Sequence, residues 1–299
     1  MCTYCGAKYI AQQLESILRQ TLQPDELVIC DDASTDETIE IIDRFAVRAP
    51  FDVRVFRNTQ NVGLVSNFEQ AIARCSKDII FLSDQDDVWH PAKIELTVSV
   101  LNSVPEAAGA FSNSDVVNAD LSPLNYSLWD ACGFTANEQS VFAVDAFASL
   151  LEGNKVQGSS LAFRAAYRTL LLPIPSAWHY DAWIAVVLAA SAKLIPIDRK
   201  LMQYRQHGDN AIGAALRVKV PYLIRQTQKF RRWRRYYSDK LIETKLLLRQ
   251  LDDVSVRLSV HPKQFTVATA SIAQRRARLH RKLRRATLWT VMLGGRSTS

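Results

Sequence analysis

The chain has 299 residues, of which 48% are hydrophobic and 22% are charged, a composition typical of one large globular domain or two ordinary ones. No apolar run reaches the ~20 residues of a membrane-spanning helix, and the opening residues MCTYCG do not have the basic and apolar segments of a signal peptide. The five scattered cysteines favour a reduced, cytoplasmic protein, with a metal or redox role for the Cys2–Cys5 pair as the weaker alternative.

The net charge of +7 is divided unevenly along the chain. Residues 1–216 contain 16 Lys and Arg against 26 Asp and Glu, a balance of −10, whereas residues 217–299 contain 21 against 4, a balance of +17. This contrast predicts an acidic body and a basic C-terminal extension that face different partners.

Strand-like and helix-like segments alternate over the first two-thirds of the sequence. Continuous apolar runs predict strands at 26–30, 52–56, 78–83, 107–112 and 194–198. Apolar residues three or four positions apart predict helices at 35–48, 65–73, 91–101, 145–151 and 181–192. This alternation predicts an α/β fold with a mostly parallel central sheet that is flanked by helices. Beyond residue 218, apolar residues at helical spacing with Arg and Lys between them predict a basic, mainly helical extension.

Two acidic clusters come directly after predicted strands. Asp31 and Asp32 follow the first predicted strand, and three carboxylates within Asp84–Asp87 follow the third. Ligands of parallel sheets bind beyond the carboxyl ends of the strands, so we expect the two clusters to meet there. A hard divalent cation, Mn²⁺ or Mg²⁺, would offset the repulsion among the carboxylates. The alternatives are a solvated acidic turn for the second cluster and, beside the first, Ser34 or Thr35 as the cap of the following helix.

Seven segments, in order, resemble the inverting family 2 glycosyltransferases with the GT-A fold, and most of all the bacterial rhamnosyltransferase-type members that build surface polysaccharides. The segments are TYCGAKYIAQQLESILRQT (3–21), ICDDASTDET (29–38), NVGLVSNFEQAI (61–72), FLSDQDDVWHPAKI (81–94), QGSSLAFR (157–164), HYDAW (179–183) and YRQHGDN (204–210). The resemblance implies a GT-A catalytic domain over residues 1–214, which leaves 215–299 as the basic extension.

The resemblance implies that the first two segments bind the donor, a nucleoside-diphosphate sugar that is dTDP- or UDP-linked. Thr3 and Tyr4 would line the nucleobase pocket, with Tyr4 against the base. Asp32, together with Asp31, would read the edge of the base. Rhamnose is the donor sugar that the rhamnosyltransferase-type members suggest.

The resemblance also implies a metal site. Asp84 and Asp86 would form the DXD pair that holds a divalent metal together with the ribose and diphosphate of the donor, and Asp86 would be the direct metal ligand. His207 would approach the metal or the diphosphate from the C-terminal side. A surface histidine in a Gly-Asp-Asn turn is the alternative for His207.

The acceptor half of the site would be built from the last segments. Asp181 would be the general base, which takes the proton of the acceptor hydroxyl as that hydroxyl attacks the anomeric carbon. The alternative is that Asp181 is the N-cap of the helix at 182–192. Gly158, His179 and Trp183 would lie on the acceptor side, where a glycan or a lipid-linked saccharide binds.

The sequence departs from the family in two places. Cys5 stands where the family normally has Asn after the Thr-Tyr pair. The family also has a full buried strand before this motif, and here only Met1 and Cys2 precede Thr3. We therefore expect a shortened first strand, exposed sheet edges and a weaker base pocket.

The basic extension contains the run Arg231–Tyr237, which mixes cations with aromatic residues. An extension of this kind suits an anionic membrane surface, here the inner face of the cell membrane, to which the enzyme would bind peripherally. A helical extension packed on the catalytic domain is the alternative, and nucleic-acid binding is less favoured.

Two other functions compete with glycosyl transfer. A nucleotidyltransferase acting on sugar phosphates would share the α/β layout and the metal, but it would need a Gly-rich, basic phosphate loop near the N-terminus, and the sequence has none. A non-catalytic protein that binds membranes or nucleic acids would explain the basic extension and leave the carboxylates without a role.

Overall fold

The computed structural model describes residues 1–176, 178–208, 245–246, 248–250, 252–257, 259 and 268–292. The chain divides into two compact units, Met1–Leu216 and Arg217–Ser299. None of the helices that the structure describes is long and apolar enough to cross a membrane. All the predicted site residues belong to the acidic first unit.

The first unit opens with three strands, each followed by a helix. The strands are β1 (Cys2–Thr3), β2 (Glu26–Asp31) and β3 (Asp52–Arg57), and the helices are α1 (Ile10–Leu18), α2 (Thr38–Arg48) and α3 (Leu64–Arg74). The three strands form a parallel sheet in chain order, with Cys2 opposite Cys30 and Glu26 opposite Asp52. The helices bury one apolar stripe each, such as Ile42 and Phe45 of α2.

The rest of the first unit is a second sheet with helices around it. Its elements are β4 (Ile79–Phe81), β5 (Val88–Trp89), α4 (Lys93–Ser103), β6 (Ala107–Val117), β7 (Pro123–Ser127), α5 (Leu128–Cys132), α6 (Ala136–Val144), α7 (Ala146–Glu152), a 3₁₀ turn (Gly158–Ser160), β8 (Leu161–Arg164), a second 3₁₀ turn (Ala165–Tyr167), α8 (Arg168–Leu171), α9 (Tyr180–Ser191) and β9 (Lys193–Arg205).

The second sheet is mixed. Its strand order is β4-β8-β6-β9-β5, with β7 beside β6; β6 and β9 run parallel, and the other pairs are antiparallel. The parallel first sheet with its helices confirms the predicted α/β fold. The sequence did not indicate the antiparallel pairs, because an apolar run predicts a strand and not its direction.

β1 connects the two sheets. The Cys30 N–H donates to the Met1 carbonyl at 3.0 Å, and on the other side the Cys2 N–H donates to the Ser83 carbonyl at 3.3 Å. Further from the carboxyl ends of the strands, Met1 lines a cavity of about 410 Å³ between β2 and β4. The residues that follow β1, β2 and β4 therefore share one edge of the fold.

The structure contradicts both predicted helix caps. α2 begins at Thr38, and the Ser34 hydroxyl donates to the Asp31 carboxylate, so neither Ser34 nor Thr35 caps the helix. α9 begins one residue before Asp181, which lies in the first turn, where a carboxylate interacts favourably with the helix dipole.

The described part of the second unit includes α10 (Ala268–Met292). Ile272 and Leu279, one heptad apart, are buried on one side of this helix, and the Arg276 guanidinium pairs with Asp252. The basic run at 231–237 lies outside the described residues.

Candidate active site

A cavity of about 250 Å³ opens where β1 and β2 end. Six of the residues predicted to bind donor, metal or acceptor line it: Thr3, Tyr4, Asp32, Asp84, Asp86 and Asp181. The fold thus brings together side chains from the beginning, the middle and the end of the first unit, as the resemblance implied.

Asp31 holds Thr3 in place and does not line the cavity. Its side chain is fully buried. One of its carboxylate oxygens accepts from Thr3 Oγ1 at 2.9 Å and from the Ser34 hydroxyl, and the other accepts the Ser34 N–H at 2.9 Å. These bonds satisfy both oxygens of the buried carboxylate, so the structure places Asp31 behind the predicted base pocket.

Asp32 lines the cavity and also orders the loop before α3. Its Oδ1 accepts from Asn58 Nδ2 at 2.9 Å and from the Val62 N–H at 2.8 Å, and its Oδ2 accepts the Gly63 N–H at 2.9 Å. Gly63 has a φ of +88°, which glycine adopts without steric cost. Because Gly63 lines the cavity too, Asp32 shapes one of its walls.

The loop between β4 and β5 carries the second acidic cluster. Tyr180 Oη donates to Asp84 Oδ1 at 3.3 Å. Burial, followed by the charges of Asp86 and Asp181, raises the pKa of Asp84 to about 7. A bound divalent cation would become the largest local charge and relieve this crowding of carboxylates.

His207 lies against the same loop. Its Nε2 is 2.9 Å from Asp86 Oδ2, and its ring packs on Tyr9 with the ring centroids 4.6 Å apart. The His207 side chain is 9% exposed, which contradicts the alternative of a surface histidine. The predicted neighbours Asp84, Asp86 and His207 are therefore brought together.

The donor set fits a cation that is shared with a ligand. Carboxylates suit Mg²⁺ and Mn²⁺. Among the residues that the structure describes, no group of three His, Cys, Asp or Glu side chains converges to form a complete metal site. Mg²⁺ commonly binds through one or two protein carboxylates together with phosphate oxygens of the substrate. Asp84 and Asp86 offer such a site.

Two buried basic side chains, Arg205 and Lys93, lie near Asp87 of the acidic loop, and sequence patterns did not predict either of them. Burial and the charge of Asp86 raise the pKa of Asp87, whose Oδ1 accepts the Arg205 N–H at 3.1 Å. Arg205 Nε donates to the Asp86 carbonyl at 2.7 Å. Lys93 Nζ donates to the Ser159 carbonyl at 2.9 Å, and burial lowers the pKa of Lys93 to about 7. Their place within the family-like segments was the available signal.

Asp181 lines the cavity from the first turn of α9 and is 4% exposed. Burial raises the pKa of Asp181. Hydrogen bonds from the Ala182 N–H, at 2.7 Å, and from Gly158 oppose this shift and orient the carboxylate. A fixed carboxylate with a raised pKa has the properties expected of a general base.

The three residues predicted on the acceptor side differ in their surroundings. His179 is exposed, directly before α9. Trp183 is fully buried and donates from Nε1 to the Leu171 carbonyl at 2.7 Å, so it supports α9 and does not face the cavity. Gly158 touches the phenol of Tyr180: a Cβ atom at Gly158 would lie 2.2 Å from Tyr180 Oη.

Further residues line the cavity without having been predicted. They are Cys2, Asn61, Gly63, Leu64, Asn67, Gln85, Gln157, Tyr180 and Tyr204. All of them except Cys2 fall within the seven family-like segments, so membership of those segments was the signal that could have found them.

Residues 1–150 match the model of glycosyl transferase family 2. The chain belongs to this family. It is 27% identical over 214 residues to an uncharacterized glycosyltransferase of Nostoc sp., which covers 69% of this chain and 63% of the relative. It is 25% identical over 242 residues to the dTDP-rhamnosyl transferase RfbG of Shigella flexneri, covering 74% of this chain and 76% of RfbG.

Solved structures show the same fold. The S. aureus protein TarS, in complex with UDP-GlcNAc, has a TM-score of 0.61 at 15% identity, over 94% of this chain and 70% of that one. A mannosyltransferase from Pyrobaculum calidifontis, with GDP-Man and Mn²⁺, has a TM-score of 0.51 at 16% identity, over 98% and 82%. Together with the family match, these neighbours confirm the GT-A fold.

Proposed function

We propose that this glycosyltransferase moves a hexosyl group from a nucleoside-diphosphate sugar to a glycan or lipid-linked saccharide, with inversion, in the synthesis of a cell-surface polysaccharide. The observation that carries the proposal is that Asp84 and Asp86 line one cavity with Asp181. The first two carboxylates suit the diphosphate end of a donor, and the third suits the acceptor hydroxyl.

Each part of the cavity has a proposed task. Thr3 and Tyr4 hold the nucleobase beside Asp32. Asp84 and Asp86, with His207 against Asp86, would hold Mn²⁺ or Mg²⁺, which when bound supplies positive charge for the departing diphosphate.

Proton transfer is assigned to Asp181. Its carboxylate accepts the proton of the acceptor hydroxyl while that oxygen attacks the anomeric carbon from the face opposite the leaving group. Because hydrogen bonds from the Ala182 and Gly158 backbones fix the carboxylate, little reorganisation is needed when the acceptor arrives.

A dTDP- or UDP-linked donor is proposed, with rhamnose as the first sugar to test. The name of the Shigella relative, a dTDP-rhamnosyl transferase, supports the rhamnose donor. The UDP-GlcNAc and GDP-Man complexes of the structural neighbours support a nucleotide sugar in general.

A peripheral position on the inner face of the cell membrane is proposed for the whole protein. The charge balance of +17 over residues 217–299 supports it, because each basic residue near an anionic surface contributes about 1 kcal/mol to binding. A lipid-linked acceptor would be reached from the same surface.

The test is incubation of the full chain with a panel of nucleotide sugars, Mn²⁺ and lipid-linked saccharides, with nucleoside diphosphate and glycosylated acceptor as readouts. We expect acceptor-dependent release of the diphosphate with one donor. Failure with every donor, together with pyrophosphate release from a nucleoside triphosphate and a sugar phosphate, would instead identify a nucleotidyltransferase.

A further inference from the structure

The side chain of Gln85 makes two hydrogen bonds to the loop that follows β1. Gln85 Oε1 accepts the Tyr4 N–H at 2.9 Å, and Gln85 Nε2 donates to the Tyr4 carbonyl at 3.0 Å. One amide group thus satisfies both main-chain groups of Tyr4. Gln85 itself lies between the two carboxylates proposed to hold the metal, Asp84 and Asp86.

The loop that carries Tyr4 is shaped to receive this amide. A Cβ atom at Gly6 would lie 2.2 Å from Gln85 Oε1, so the glycine provides the space that the amide occupies. Cys5, between them, has a φ of +45°, which a residue with a side chain keeps only when its surroundings enforce it.

The opposite side of the loop is held independently. The Cys5 N–H donates to Ser34 Oγ at 2.8 Å, and the Gly6 N–H donates to Thr38 Oγ1 at 2.8 Å. Ser34 and Thr38 both follow β2, so one side of the loop is tied to the segment after β2 and the other to the acidic loop through Gln85.

We infer that Gln85 is a positioning residue that couples recognition of the nucleobase to recognition of the diphosphate. By holding Tyr4, it fixes the distance between the base-binding loop and the pair Asp84 and Asp86 before the ligand arrives. A ligand that carries both a base and a diphosphate binds more tightly to the ordered loops, because no binding free energy is lost in arranging them. A ligand that carries only the diphosphate gains nothing. The inference rests on the proposed function.

Gln85→Ala tests it with two probes in the full chain. For nucleoside diphosphates (UDP, dTDP and GDP) with Mn²⁺, titration calorimetry should show about a 5–30-fold loss of affinity, as expected when up to two hydrogen bonds of ordinary strength are lost. For pyrophosphate with Mn²⁺, the affinity should stay within about twofold. A purely structural defect would weaken both probes and lower the melting temperature.

Gly6→Ala disrupts the same contact from the other side. Its methyl group displaces the Gln85 amide, so it should give the same selective loss in the wild-type background. In the Gln85→Ala background it should add almost nothing, because the atoms that it would strike are gone, and this non-additivity marks a direct coupling. Gln139→Ala is the matched control, since Gln139 Nε2 donates to the Phe134 carbonyl at 3.2 Å outside the cavity.

The outcomes separate the inference from the proposed function. Suppose that the wild-type chain binds a nucleoside diphosphate. If Gln85→Ala binds it equally well, or if its affinity for pyrophosphate falls as much as its affinity for the nucleotide, the coupling role is overturned and the proposed function stands. If the wild-type chain binds none of the three nucleotides with Mn²⁺, both are overturned.

Discussion

Asp181 is oriented before the acceptor binds, through the hydrogen bond from the Ala182 N–H. Asp181→Asn keeps the shape of the side chain and its acceptor oxygen but cannot take a proton. We expect turnover to fall by about 10²–10⁴-fold, with nucleotide-sugar affinity within a few-fold of wild type because Asp84 and Asp86 are unchanged. Steady-state kinetics and donor titration measure the two effects separately.

Asp145→Asn is the control for this substitution. Asp145 caps α7 through the Ala148 N–H at 2.9 Å and does not line the cavity, and asparagine caps as well as aspartate. Its turnover should equal that of wild type. If Asp181→Asn keeps more than about a tenth of wild-type turnover while chemistry limits the rate, the base is another residue, and His179 is the next to examine.

The raised pKa of Asp181 has a consequence for the pH profile. Burial favours the protonated carboxyl, and the protonated form cannot accept the acceptor proton. Turnover at saturating donor should therefore fall as the pH is lowered, beginning above the usual range of an aspartate. The residual turnover of Asp181→Asn should lack this acid limb; an identical limb in both proteins would show that another group titrates.

Asp86 is the proposed direct ligand of the metal, and its Oδ2 lies 2.9 Å from His207 Nε2. Asp86→Ala should abolish transfer and reduce Mn²⁺-dependent binding of the nucleoside diphosphate by at least about 10–100-fold, the range seen when even an indirect partner of a metal is lost. Calorimetry with and without Mn²⁺ measures this. Asp198→Ala is the control, because Asp198 is an exposed aspartate away from the cavity. Unchanged Mn²⁺-dependent binding in Asp86→Ala would show that Asp86 is not part of the metal site.

At the scale of elements, the 3₁₀ turn Gly158–Ser160 and the helix α9 depend on a close contact. Tyr180 stacks on Phe68 with the ring centroids 3.8 Å apart, so its phenol has little room to retreat from a Cβ atom at Gly158. Gly158→Ala should lower the free energy of unfolding by about 1–3 kcal/mol, as overpacking does. It should also weaken donor binding, since Tyr180 donates to Asp84. Urea unfolding measures the first effect.

Gly153 offers a matched control for Gly158. It lies at the end of α7 with an extended φ of 163°, and nothing lies within 4 Å of an added Cβ. Gly153→Ala should therefore change the free energy of unfolding by no more than about 0.5 kcal/mol. Equal effects of the two substitutions would mean that the contact between Gly158 and Tyr180 is not tight in solution.

The elements also show which features local sequence patterns can predict. β2 was predicted at 26–30 and runs from Glu26 to Asp31, because a continuous apolar run followed by acidic residues is a local signal. α2 begins three residues later than predicted, since Ser34 bonds to Asp31 instead of starting the helix. β6 and β9 are longer than the apolar runs that predicted them, because polar residues interrupt the apolar pattern within each strand, such as Asn113 and Ser114 in β6 and Arg199 and Lys200 in β9.

Contacts between residues far apart in the sequence explain why Gln85 and Tyr180 were not predicted as site residues. Gln85 bonds to Tyr4, 81 positions away, and Tyr180 bonds to Asp84, 96 positions away. A window of sequence contains only one partner of each pair. The carboxylates could be predicted because acidic clusters are conspicuous, whereas a single glutamine or tyrosine gives no local sign of its partner.

At the scale of the whole molecule, the two units carry opposite charge, −10 over residues 1–216 and +17 over residues 217–299. An anionic membrane would attract the second unit and repel the first. The proposed membrane contact therefore predicts an oriented enzyme, with the basic extension at the surface. In the described part of the extension, Ile272 and Leu279 of α10 are buried within the protein, and we expect charge to be the main source of affinity for the membrane.

Salt and charge substitution test this directly. The full chain should sediment with vesicles that contain anionic lipid and should be released as salt rises, because the Debye length shrinks from about 30 Å at 0.01 M to about 3 Å at 1 M. Replacing Arg231, Arg232 and Arg234 by Gln should weaken binding by about 10–100-fold at low salt, since each basic residue near the surface contributes up to about 1 kcal/mol.

The matched control changes the net charge equally on the other unit. Replacing the exposed Arg44, Lys77 and Arg199 by Gln also removes three positive charges, but from the acidic body. If net charge alone governs the association, both triple variants should lose affinity equally; if the extension is the docking surface, only the first should. Binding that resists high salt, or equal losses in the two variants, would contradict an electrostatic anchor in the extension.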